Sequence, residues 1–294
     1  MNFWVEAKRL FGKVGRFGEA GNTRPFVRPL RRATGICLLL LFLVGFAVAV
    51  YWPEAANTVV YQNGGIVVDA SHSDQGYVMI ARQSSKEQKL RISLGKANLT
   101  YDLNGSGAYE VFPLQLGNGK YTVEVFEKIS GKKYSPAGKL TMEVTVPDTN
   151  TIYLYPNQYV WYDQNSQAVA KAQELCANAT TDAAKVEAIY LYIVNNMVYD
   201  WGFASQVTSG KVKTYMPSVD RTLETGTGVC FDFSALMACM LRSQGVATQM
   251  GIGYADKIYH AWNYILVDGT WYQYDVTTAI CQGSVSKYTP ERIY

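Results

Sequence analysis

Residues 226–275 read GTGVCFDFSALMACMLRSQGVATQMGIGYADKIYHAWNYILVDGTWYQYD, and the fold follows from this stretch. It carries Cys230, His260 and Asp275 in that order. Cys230 follows a Gly-Thr-Gly-Val loop and opens an apolar, helix-like run to Ser243, with Gly245 as its stop. A thiol at a helix N-terminus feels the positive end of the macrodipole and unpaired backbone N–H groups, which favour a thiolate. Those N–H groups are also placed to receive an oxyanion formed by attack at a carbonyl.

The runs 259–267 and 271–275 have strand character, and Asp268-Gly269 between them signals a two-residue hairpin turn. That turn pairs Val267 with Thr270, Trp262 with Asp275 and His260 with Thr277. His260 and Asp275 then leave the same sheet face as diagonal neighbours, within reach of a carboxylate–imidazole hydrogen bond. A three-residue turn would put them on opposite faces, so the expectation depends on register.

GVCFDFSALMACMLRSQGVATQMGIGY (228–254) and YHAWNYILVDGTWYQYDVT (259–277) together resemble the core of the transglutaminase-like superfamily, over roughly residues 150–294. The resemblance implies a papain-like Cys-His-Asp arrangement, with Cys230 as nucleophile, His260 as general base and Asp275 as the residue that orients the imidazole. It leaves the reaction open, because such domains include cross-linkers, proteases, amidases and inactive members.

Single residues within the stretch carry less. A lone cysteine is more often a small buried hydrophobe than a nucleophile. The joint pattern weighs more: the chain has only two histidines, and one lies 30 residues after Cys230 and 15 before an aspartate that ends a strand. Asp232 reads as a partner for the helix dipole rather than a catalytic group. Asn263 reads as a polar strand residue facing away from His260. Leu236, Met237, Met240 and Leu241 read as core. No metal is expected, since Cys230 and Cys239 have no paired Cys-x-x-Cys or second nearby histidine. No acidic loop suggests calcium, and no phosphate or dinucleotide fingerprint is present, so no cofactor is expected.

Upstream of this stretch, residues 166–176 have helical composition. Residues 182–196 repeat apolar side chains at Val186, Ile189 and Ile193, followed by Met197, which gives a helix with one buried face. Tyr199 and Trp201 follow; related enzymes often place an aromatic near the oxyanion, but packing is the plainer role for both. Residues 202–225 read as a loop walling a substrate groove. Cys239 reads as a free core thiol, and Cys176 with Cys281 is the only disulfide pairing to entertain.

From 54 to 147 short apolar or alternating runs (65–69, 76–81, 90–94, 109–114, 120–127, 139–146) are separated by turn residues such as Asn104-Gly105 and Gly117-Asn118-Gly119. Their spacing suggests a β-sandwich. It would serve as a spacer or as a ligand-binding module. His72 reads as an exposed loop residue. Between Arg32 and Glu54 no residue is charged, and the nearly apolar run is long enough for one membrane crossing. Basic residues before it place the N-terminus in the cytoplasm, with Tyr51 and Trp52 at the outer interface. Ala47-Val48-Ala49 resembles a signal-peptidase site, yet the long basic region and the continuing apolar run favour an uncleaved anchor. Residues 1–35 hold eight basic side chains against two acidic ones; the other 259 residues are net −3. The basic charge therefore belongs to the tail, and no nucleic acid partner is implied.

The expected fold is α+β: a basic cytoplasmic tail (1–32), one transmembrane anchor or uncleaved signal (33–53), an all-β sandwich-like domain (54–148) and a transglutaminase-like, papain-like domain (149–294). The expected function is a single-pass cell-membrane thiol enzyme, its C-terminal domains outside, acting on amide bonds of protein, peptide or cell-wall peptide through an acyl-thioester. The alternative is a non-catalytic surface module that binds peptide or wall polymer through the same groove.

Overall fold

Short β-branched and aromatic runs punctuated by glycine turns begin at residue 60. The computed structural model, which describes residues 51–294, folds them into eight antiparallel strands. These are β1 (Val60–Asn63), β2 (Ile66–Asp69), β3 (Tyr77–Ala81), β4 (Gln88–Leu94), β5 (Ala97–Leu103), β6 (Glu110–Pro113), β7 (Gly119–Ser130) and β8 (Lys133–Val144). They make two four-stranded sheets, in the orders β1-β2-β3-β6 and β5-β4-β7-β8. Period-2 alternation sends Val78 and Ile80 of one sheet and Leu90, Ile92, Val123 and Val125 of the other into one shared core. At Gly138 an added Cβ would stand 2.7 Å from Ile66 Cδ1 and 3.0 Å from the Asn63 carbonyl, so only glycine lets β8 pass the β1–β2 turn. The sequence runs omitted β1 and β5. Both expose most of their side chains, which removes the apolar alternation that identifies a strand.

His72, expected in an exposed loop, is half-buried. Its ring stacks on Tyr77 with centroids 5.6 Å apart and faces Glu54 at 3.5 Å. The expected membrane run lies outside the described residues except for its last three. Of these, Tyr51 and Trp52 pack edge-on against Tyr155 and Tyr162, at 5.6 and 5.9 Å. No helix among the described residues is long and apolar enough to cross a membrane.

After the turn Thr151–Leu154 the chain becomes mixed. The helix Gln167–Cys176 is followed by Asp182–Asn196, whose N-cap Thr181 accepts from the Ala184 N–H and whose Val186, Ile189 and Ile193 are buried. Strand β9 (Val198–Tyr199) pairs in parallel with β10 (Thr227–Gly228). Between them the expected loop contains two helices, Trp201–Thr208 and Val219–Thr225. Local chemistry explains both. Asp200 caps the first through the Phe203 N–H, and Gly226, at φ 63°, stops the second in a left-handed C-cap. Next comes the helix Cys230–Arg242, in which every residue from Phe233 to Arg242 is almost wholly buried. It packs on β12 of the last sheet, which has the order β13-β12-β11-β14. Those strands are β11 (Thr248–Ala255), β12 (Ile258–Val267), β13 (Thr270–Tyr274) and β14 (Tyr288–Ile293). Strand β14 carries Pro290 opposite Gly253, where the β11 register shifts. A Cβ on Gly253 would fall 2.2 Å from the Thr289 carbonyl, so this approach requires glycine.

The Cys230 helix ends on a fully buried arginine. Arg242 donates Nε to the Thr248 carbonyl (2.8 Å), Nη1 to that of Tyr155 (2.8 Å) and Nη2 to that of Tyr294 (3.0 Å). A guanidinium reaches three divergent carbonyls because its donors form a rigid fork, which an ammonium cannot match. Arg242→Met would strand all three acceptors in the core. The expected loss is about 3 kcal/mol or more by urea denaturation; a loss under about 1 kcal/mol would show that the clamp does not hold the fold together.

Candidate active site

The loop before Cys230 is fixed by Asp232. Its Oδ2 accepts the Val229 N–H at 2.9 Å, closing the start of the helix, and its Oδ1 accepts the Tyr215 hydroxyl. Burial pushes the Asp232 carboxyl above its ordinary value, against these two hydrogen bonds. Gly228 is required here, since a Cβ would lie 2.8 Å from that of Asp232. Cys230 itself is half-buried at the first helical position, where backbone N–H groups have no intrahelical acceptor.

The second piece comes from the β12–β13 hairpin. Asp268-Gly269 forms its turn, with both residues at positive φ, and Val267 pairs with Thr270 down to Asn263 with Tyr274. The pairing stops there. His260 therefore does not face Thr277, because Asp275 leaves the strand and caps the short helix Val276–Ile280. Asp275 Oδ1 accepts the Thr278 N–H at 2.9 Å, which spends one carboxylate oxygen on the cap. The other, Oδ2, meets His260 Nε2 at 2.8 Å, the Thr278 hydroxyl at 2.6 Å and the Tyr288 hydroxyl at 2.8 Å. The Cys230 side chain also lies beside the His260 ring, where it favours the charged imidazole. With Nε2 turned to Asp275, Nδ1 is the nitrogen left for sulfur.

Cys230, His260 and Asp275 are thus brought together, with the His260 and Asp275 side chains only 11% and 6% exposed. Burial opposes a charge on His260, but interactions with Asp275 and Cys230 outweigh it and raise the imidazole to about 10. Burial likewise works against the Asp275 carboxylate, and its bonds to His260 and Thr278 still hold it below the ordinary range. The arrangement can move a proton between sulfur and imidazole while a carboxylate keeps the ring oriented.

Neighbouring residues differ in part from their sequence readings. Asn263 is fully buried and donates Nδ2 to the Ser234 carbonyl at 3.0 Å, tying β12 to the middle of the Cys230 helix. Leu236, Met237, Met240 and Leu241 are all core. Tyr199 is half-buried beside Cys230, and burial lifts its hydroxyl to about 12. Trp201, expected to pack, is 70% exposed: it opens the helix after Asp200 and touches Tyr199 with one ring edge, centroids 4.6 Å apart. Cys176 and Cys281 are both free thiols, the first buried and the second exposed, so the entertained disulfide is not formed. Cys239 is a buried free thiol whose ionisation burial strongly opposes. Among the described residues no cluster of His, Cys, Asp or Glu could hold a metal ion. The sequence reading missed Thr278, Tyr288 and Tyr215. Asp275-Val-Thr-Thr carried a helix-cap signal for Thr278, whereas the two tyrosines reach the site only through tertiary structure.

Residues 169–276 match the family model described as the transglutaminase-like superfamily. No curated protein matches the chain. Among solved structures it is similar to a Cytophaga hutchinsonii protein described as a candidate cysteine protease, at 19% identity over 70% of this chain and 71% of that one, TM-score 0.38. It is also similar to the periplasmic domain of TgpA from Pseudomonas aeruginosa, at 14% identity over 74% and 94%, TM-score 0.35. A third structure, described as a TGase, is 18% identical over 55% and 47%, TM-score 0.32.

The raised His260 value has a sign that can be checked. Between the ordinary 6.5 and about 10 the native ring keeps a proton that the unfolded chain has lost. This contribution to stability is therefore complete below 6.5 and disappears as pH rises to about 10. Asp275→Asn should flatten that alkaline decline in a series of urea melts; an unchanged slope would mean that the pair does not hold the proton.

Proposed function

With residues 169–276 forming a transglutaminase-like domain, we propose that the chain is a thiol enzyme that acts on amide bonds of proteins or peptides through an acyl-thioester. The supporting observation is the position of His260, with Cys230 beside its ring and Asp275 Oδ2 at 2.8 Å from Nε2. His260 already holds the proton taken from the thiol as an imidazolium, and the Cys230 thiolate attacks the amide carbonyl. Negative charge then develops on the carbonyl oxygen beside the first N–H groups of the Cys230 helix, including that of Cys230 itself. Collapse breaks the C–N bond, the leaving amine receives the proton from His260, and a thioester remains on Cys230. In the second half His260 takes a proton from water or from an amine. Attack on the thioester then gives hydrolysis or a new amide, and the thiol is restored. Asp275 keeps the imidazole in the tautomer that presents Nδ1 to sulfur.

This reading extends to the cell surface. The apolar run at 33–53 is proposed as a single membrane anchor, with the N-terminal tail in the cytoplasm and the folded body outside, where protein or cell-wall peptides would be substrates.

Labelling the full chain in detergent with iodoacetamide across pH 5 to 9, read at each cysteine by mass spectrometry, tests the chemistry. Cys230 should label selectively near neutral pH, and His260→Ala should slow it by about tenfold or more. Cys230→Ala should abolish turnover of a peptide-amide library while the chain remains folded, as read by its far-UV circular dichroism. Labelling of Cys230 that only equals a denatured control would replace the enzyme with a binding module using the same groove.

A further inference from the structure

Asp275 Oδ2 accepts three donors, and only one of them is the imidazole. Thr278 is local, two bonds from one residue that also closes the helix cap. Tyr288 is different. It arrives on β14, on the far side of β11 from β12 and β13, and its hydroxyl meets Oδ2 at 2.8 Å. Its ring rests on Trp262, centroids 5.0 Å apart, and Trp262 in turn stacks on His260 with the planes 17° apart. A phenol placed this way touches neither sulfur nor any reacting carbonyl. Its hydrogen bond draws negative charge on Oδ2 away from the imidazolium, while Thr278 holds both carboxylate oxygens through its N–H and hydroxyl.

We propose that Tyr288 is a positioning residue which, through its hydroxyl on Asp275 Oδ2, limits how tightly Asp275 holds the proton on His260. The inference rests on the thiol–imidazole reading above. A carboxylate that accepted only His260 and Thr278 would bind the imidazolium more strongly, and the proton would pass less readily to a leaving amine. The other groups near the pair are Cys230 on its helix, Cys281 at the end of the Asp275-capped helix, Tyr190 on Asp182–Asn196, and Asp256 near Tyr288.

The chain has two histidines, so each imidazole can be followed separately by NMR after histidine labelling of the full chain in detergent, with His72 as internal control. Tyr288→Phe keeps the ring on Trp262. It should move the His260 titration upward by about half a unit to one unit while leaving that of His72 in place. 3-Fluorotyrosine at position 288, a stronger donor, should move it downward; because it preserves the hydrogen bond, it also serves if the phenylalanine variant folds poorly. A His260 titration unchanged in both variants overturns the role of Tyr288. A parent chain whose His260 titrates at the ordinary imidazole value overturns the pairing itself, and the two failures are distinguished by the parent alone.

Discussion

A wholly buried guanidinium bonded to the backbone of three segments is the constraint on which the second half of the molecule depends. Arg242 binds three carbonyls, from Tyr155 before the first helix of the mixed region, from Thr248 at the head of β11, and from Tyr294 just after β14. Burial works against its charge, and only acceptors on every side make the site tolerable. The consequence is geometric. The end of the Cys230 helix cannot move without breaking bonds to three separate segments. Two of those segments flank the strands that carry or support His260 and Asp275.

The other end of the helix is held by a different means. Asp232 closes the first turn on Val229 and reaches out to Tyr215, and Asn263 fastens the middle of the helix to β12. Cys230 and His260 are thus parts of two elements that pack together and are bonded at the middle of the helix. Asp275 joins them because its two oxygens divide the work, one capping a helix and one facing the ring. A site held in this way needs little rearrangement to move a proton, which is what chemistry at a thiolate asks of its surroundings.

Much of this was legible because it rests on short-range rules. Asp268-Gly269 sets a two-residue turn, and the turn sets the register from Val267–Thr270 to Asn263–Tyr274. Beyond it the helix cap of Asp275, not the sheet, brings its carboxylate to His260. The apolar run after Cys230 announces a helix buried on all sides. What the sequence hid lies where local and tertiary signals part. Strand pairing was expected to continue past Tyr274, but Asp275 prefers to cap, and a cap ends a strand. Residues 202–225 look like loop because their helices are short and amphipathic only in part, although Asp200 and Gly226 mark a start and a stop. Trp201 was expected to pack, yet its place at a helix start leaves it exposed. Tyr288 and Arg242 act through partners that no spacing reveals, at positions where only the folded sheet supplies a neighbour.

The proline in β14 has a meaning for the molecule at high concentration. A sheet order of β13-β12-β11-β14 leaves β14 with an unpaired outer side, the kind of border on which another chain can extend the sheet. Pro290 removes one donor from that border, Glu291 and Arg292 load it with charge, and the register shift at Gly253 twists it out of line. The strand that brings Tyr288 to Asp275 is thereby a poor template for the addition of a further strand, although it forms a solvent-facing margin of the sheet.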